Sequence, residues 1–195
     1  MDLFETIRTR RSIRQFLPDP IPKEDVERIL DAGRRAPSAG NGQPWRFLVV
    51  TDRERLKAPH DRSVEFIERR IAGSEEVPRS EKSRAKAQYR DYAKKIFDAP
   101  LFVFVFVTTV RNTDLVGYDG ALAAGNMLLA AHALGYGACF QTSLFPEELV
   151  RDHFGIPTDY RLICAVPIGV PAASPEDPGR RPLAEFVWRE ALPQE

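Results

Sequence analysis

Residues 101–109, LFVFVFVTT, alternate phenylalanine with aliphatic side chains and carry nothing polar before the final two threonines. A strand turns successive side chains to opposite faces, so this one is apolar on both. It needs cover on each side, which places it at the centre of a sheet with packed layers above and below. The rest of the chain offers those layers. KEDVERILDAGRRA, 23–36, sets Val26, Ile29, Leu30 and Gly33 at helical spacing, and residues 119–134 read as a helix buried on nearly all sides. RFLVVT (46–51), residues 138–143 and RLICAVPIGV (161–170) read as further strands. Short helices are expected at 2–9, with Leu3, Phe4 and Ile7 on one face, and at 146–154. Residues 53–98 are charge-dense and read as two solvated helices around the GSEEVPRS turn at 73–80. With no internal repeat and no composition typical of a linker, the expectation is one α+β domain over residues 1–195.

Charge narrows the function. Lys plus Arg and Asp plus Glu both number 28, so the chain lacks the basic excess of a general nucleic-acid or membrane-surface binder. The apolar run 121–140 is interrupted by Asn126, His132 and LGYG, which fits a core helix and not a membrane span. Cys139 and Cys164 have no CxxC partner and read as buried, reduced thiols. The opening MDLFETIRTRRS has no apolar leader core, and a cytoplasmic protein is expected.

Several chemistries find no residues here. His60, His132 and His153 have no metal-ligand spacing, so no metal is expected, and His132 reads as a satisfied core histidine. There is no GxSxG elbow and no P-loop, and GYGACF lacks the third glycine of a dinucleotide fingerprint. Three polar stretches do stand out. RTRRSIR, 8–14, gathers four arginines and Ser12, suited either to bidentate phosphate binding or to a solvated helix end. APSAGNGQPW, 36–45, is over-built for a connector: Pro37, Ser38 and Gly40 set a turn, and the amides of Asn41 and Gln43 suit the edge of a flat heterocycle. GRRPL, 179–183, adds a basic pair at the base of a proline-rich C-terminal segment. Together they suit a ligand bearing both a phosphate and a ring.

RRSIRQF (10–16), APSAGNGQPW (36–45), AAGNMLLAAHALGYG (123–137) and GRRPL, in that order, resemble the nitroreductase family of flavoproteins. The resemblance implies a mixed sheet flanked by helices, a C-terminal arm extending onto a partner subunit, and a homodimer with FMN at the interface. It places Arg10, Arg11, Ser12 and Arg180 around the ribityl phosphate and Arg14 near the flavin N1–O2 edge, where a fixed positive charge favours hydride acceptance. Asn41 would bond the pyrimidine edge, and Pro37 and Ser38 would reach the ring from the other subunit. Gln141 and Thr142 align with the segment facing flavin N5, although the family often has a glycine at or beside Thr142. No side chain is assigned as an acid or base. The implied activity is NAD(P)H-dependent, ping-pong reduction of nitroaromatics, quinones or similar small acceptors. Two alternatives stand beside it: a flavin-fragmenting 5,6-dimethylbenzimidazole synthase, whose N-terminal motif with FLPDPIP is similar, and a flavin-binding protein without turnover. Residues 60–98 are expected to line the acceptor pocket.

Overall fold

The computed structural model describes residues 2–110 and 115–190. Its sheet has four strands, β1 (Trp45–Val50), β2 (Leu101–Thr108), β3 (Gly137–Ala138) and β4 (Tyr160–Gly169), in the order β1-β2-β4-β3. β2 is central, as its two apolar faces demand, and pairs antiparallel with both neighbours, Phe47 opposite Val105 and Val103 opposite Val166. All seven residues from Leu101 to Val107 are buried. The period of two divides them. Phe102, Phe104 and Phe106 enter one core with Leu56, Ile96, Phe145 and Val150, while Leu101, Val103 and Val105 enter the other with Ile29, Met127 and Ala131.

Helices supply both covering layers. α3 (Arg53–Gly73), α4 (Lys82–Phe97) and α6 (Glu147–Phe154) cover the phenylalanine face; α2 (Lys23–Arg34) and α5 (Val116–Ala133) cover the other. α2 and α5 approach closely because Gly33 has no side chain: a Cβ there would meet Met127 Cε at 2.4 Å. α3 and α4 form the expected hairpin, tied by Arg90 to Glu68 and by stacking of His60 on Phe97 at 4.3 Å.

Two expectations need correcting. The strand expected at 138–143 shrinks to Gly137–Ala138, and beyond it only an isolated bridge pairs Gln141 with Ala165. The four strands are antiparallel throughout, and the parallel component of the sheet is confined to a bridge between Ser12 and Ala138. The outer edge of β3 is bridged at Ala138 by Ser12, in the segment that follows α1 (Leu3–Thr9). α1 forms where a short helix is expected. Thr6 is its buried residue, while Leu3, Phe4 and Ile7 are exposed, and the helix meets α5 where Thr9 bonds His132. Its apolar stripe therefore covers no part of its own core.

Candidate functional site

After α1 the chain straightens at Arg10 and runs along the β3 edge. The Ile13 N–H donates to the Ala138 carbonyl at 3.1 Å, and the Leu17 N–H donates to that of Val170 at 2.9 Å. Ile13 and Phe16 are pegs in the core, and Ser12 and Arg14, on either side of Ile13, line the outer cleft. The contact is tight: a Cβ on Gly137 would lie 2.6 Å from Ile13 Cβ and Cγ1. A buried peg thus sets where the arginines stand.

Arg10, Arg11, Ser12 and Arg14 form one wall of a cleft of about 330 Å³, and Glu176 and Arg180 stand on the other. Sequence positions 170 residues apart meet here. The three arginines are not equivalent. Arg11 is held by its own chain, donating to the carbonyls of Arg8 (2.8 Å) and Arg10 (3.0 Å) and pairing with the Asp177 carboxylate. Arg10 is half-buried and its side chain has no hydrogen bond or ion pair among the described residues. Burial, then the charges of Arg180 and Arg11, pull its guanidinium below the ordinary arginine value. A desolvated, unpaired cation facing a second one is relieved by an anion with several acceptor oxygens, which is what a phosphate group offers. Beside this cluster His132 is partnered by Thr9, Nε2 to Oγ1 at 2.8 Å, and Thr9 in turn donates to the Glu5 carbonyl at 2.7 Å. Burial, then Arg10 and Arg11, hold the imidazole below its usual range; the histidine is satisfied as expected but only half-buried, at the α1–α5 contact and not in the core.

A second cleft of about 330 Å³ continues from the first, sharing Ser12, Arg14 and Pro175, with Tyr92 and Lys95 of α4 as its far wall. α4 lies within the segment expected to line the pocket, but nothing in the sequence singles out Tyr92 and Lys95. Tyr92 reads there as one more apolar position, and Lys95 as one of many surface charges. The Tyr92 hydroxyl meets the Gln141 amide through two contacts, 3.0 Å to Oε1 and 2.9 Å to Nε2. Gln141 is itself buried, lies 3.2 Å from Cys139 Sγ, and exchanges backbone hydrogen bonds with Ala165 at 2.9 and 2.8 Å. Its side chain thus braces the groove wall from behind. Thr142, next to it, is exposed.

The 36–45 loop sits elsewhere. Ala39 N–H donates to the buried Asp119 at 3.3 Å, and Ser38 Oγ accepts from Gln43 N–H at 3.0 Å. Gly40, Asn41 and Gln43 have φ of 56°, 55° and 45°. For the two amides this left-handed backbone costs about 1–3 kcal/mol each, a strain that clusters at ligand clamps. Pro37 and Asn41 are exposed. Asp119 is near the start of α5 and His132 near its end, so at 1.5 Å per residue the loop and the arginine cluster are roughly 20 Å apart. One chain does not bring them together.

This fold is shared by solved flavoproteins. A provisionally named nitroreductase of Desulfovibrio desulfuricans, crystallised with FMN, is 28% identical and superposes with a TM-score of 0.70 over 99% of both chains. An iodotyrosine deiodinase structure with FMN and 3-iodo-L-tyrosine shares the fold, TM-score 0.80 over 98% of this chain and 100% of that one. A Methanothermobacter thermautotrophicus protein provisionally named NADH dehydrogenase/NAD(P)H nitroreductase is 33% identical over 94% of this chain and 83% of its own. The iodotyrosine deiodinase of Thermotoga neapolitana is 30% identical, covering 87% and 88%. The profile of the nitroreductase family matches residues 7–170, and the chain belongs to that family.

Proposed function

We propose that the protein is an FMN-dependent oxidoreductase that takes reducing equivalents from NAD(P)H and delivers them to a nitroaromatic, quinone or similar small acceptor. The observation that carries this reading is the unpaired, half-buried Arg10 facing Arg180 across a groove that continues past Arg14 to Tyr92. Arg10, Ser12 and Arg180 hold the phosphate, with Arg11 completing the cradle, and Arg14 places its charge at the ring's pyrimidine edge. FMN supplies the hydride chemistry when bound. The protein's own work is binding, charge placement and exclusion of water, and the groove needs no acid–base dyad for it.

Pro37, Ser38 and Asn41 reach the ring from a second copy of the chain, because within one copy the loop that carries all three is too far from Arg14. The surface supports such a homodimer: Phe4 is 82% exposed and Trp188 65%, and Leu3, Leu183 and Phe186 are also uncovered. Donor and acceptor occupy the same pocket in turn, which predicts ping-pong kinetics. Two buried free cysteines favour a reducing compartment, the cytoplasm. Among the described residues no helix is long and apolar enough to cross a membrane.

The test is direct. Purified protein should be yellow, bleach under argon with NADH or NADPH, and recover colour when a nitroaromatic or quinone is added. Yellow protein that neither donor bleaches refutes the enzymatic reading. A relative named 5,6-dimethylbenzimidazole synthase in Rhodospirillum rubrum, 28% identical over 83% of this chain, supplies the competing outcome. Release of 5,6-dimethylbenzimidazole from FMN in air would favour it.

A further inference from the structure

Residues 171–182 carry four prolines and cross the arginine cleft as an extended, exposed strap. An exposed strap of this kind does not by itself hold an arginine in place. Among the described residues Arg180 bonds only the adjacent Gly179 carbonyl, at 2.7 Å. Between the Ala172–Gln15 backbone bond at 3.0 Å and Arg180, one residue alone ties the strap to the rest of the chain by a hydrogen bond or ion pair among the described residues, and that residue is Asp177.

We propose that Asp177 positions Arg180 in the cleft, by shaping the turn that presents it and by fastening that turn to the wall bearing Arg10. The two carboxylate oxygens divide the work. Oδ1 accepts the Gly179 N–H at 2.9 Å, closing a turn in which Gly179 has φ of 70°. Oδ2 pairs with Arg11, whose side chain is only 15% exposed and is held independently by two carbonyls. Arg11 is therefore a strut and its charge is matched. Arg10 and Arg180 remain, two open guanidinium groups opposite a phosphate monoester of nearly two negative charges. Losing Asp177 leaves Arg11 held by its carbonyls and sets Arg180 adrift on the strap.

This inference rests on the FMN reading, and a binding cycle with FMN and riboflavin separates the two. Asp177→Ala should weaken FMN about tenfold or more while changing riboflavin by less than about twofold, since a charge-assisted bond to phosphate is what is lost. Arg180→Ala should show the same selectivity. The double variant should bind FMN no worse than Arg180→Ala, because Asp177 acts through Arg180. Wild-type protein that binds riboflavin as tightly as FMN overturns the phosphate reading itself. A wild-type preference for FMN that survives intact in Asp177→Ala overturns only the role of Asp177. So do tighter FMN binding by that variant, equal losses for both ligands, or additive losses in the double variant.

Discussion

Gly137→Ala tests how far the site depends on one backbone contact remote from any ligand. The new Cβ would lie 2.6 Å from Ile13 Cβ and Cγ1 and 2.7 Å from its Cγ2, distances that real Cβ atoms do not reach. Ile13 is a peg 4% exposed and cannot swing into solvent without emptying its place in the core, so the segment 12–14 must lift from the sheet edge. Overpacking costs about 1–3 kcal/mol. The Ile13–Ala138 hydrogen bond, 3.1 Å long, goes with it and adds about 0.5–1.5 kcal/mol. The sum is about 1.5–4.5 kcal/mol, and for a domain of this size the melting temperature should fall by about 3–18 °C. Ser12 and Arg14 flank Ile13, so FMN affinity should drop in the same variant even at temperatures where it is folded. Urea unfolding and flavin fluorescence titration measure the two effects. Ile13→Ala in the Gly137→Ala background removes two of the three clashing atoms and should restore part of the FMN affinity. Unchanged stability and unchanged FMN affinity in Gly137→Ala would refute the claim that this contact sets the arginines.

Arg10→Ala should weaken FMN by about 1.5–3 kcal/mol while riboflavin changes far less, and equal losses would remove Arg10 from the phosphate. Arg14→Gln keeps a donor but removes a charge, so the potential of bound flavin should fall, measured by dye equilibration at saturating FMN. Phe186→Ser with Trp188→Ser should shift the protein towards monomer by light scattering, with loss of yellow colour; a monomer holding stoichiometric FMN contradicts the shared site. His132 has its folded-state value depressed below 6.5, so the unfolded chain binds more protons in that window. Its contribution to stability is complete above pH 6.5 and is lost as pH falls through the depressed value. Urea midpoints from pH 7 to 5 should show this slope, and His132→Gln should flatten it.

What the sequence by itself determined is what neighbouring positions encode. The double-faced apolar run at 101–107 dictated a central strand between two helical layers, since its period of two leaves no face for water. The spacing of Val26, Ile29 and Gly33 placed α2, and the small and amide-bearing residues of 36–45 marked a loop over-built for a connector, in which the structure finds Asn41 and Gln43 at positive φ. The arginines of RTRRSIR were legible as a candidate anion site for the same reason. Tertiary structure alone decided which of those arginines is open, because that depends on Asp177 pairing with Arg11 from 166 residues away. It alone brought Tyr92 and Lys95 to Arg14, braced Tyr92 with Gln141, and confined β3 to two residues with Ser12 bridged to Ala138. Local periodicity follows from the geometry of one backbone segment. Long-range partners follow from chain closure and from competition among edges and charges, and no short window of residues records the winner.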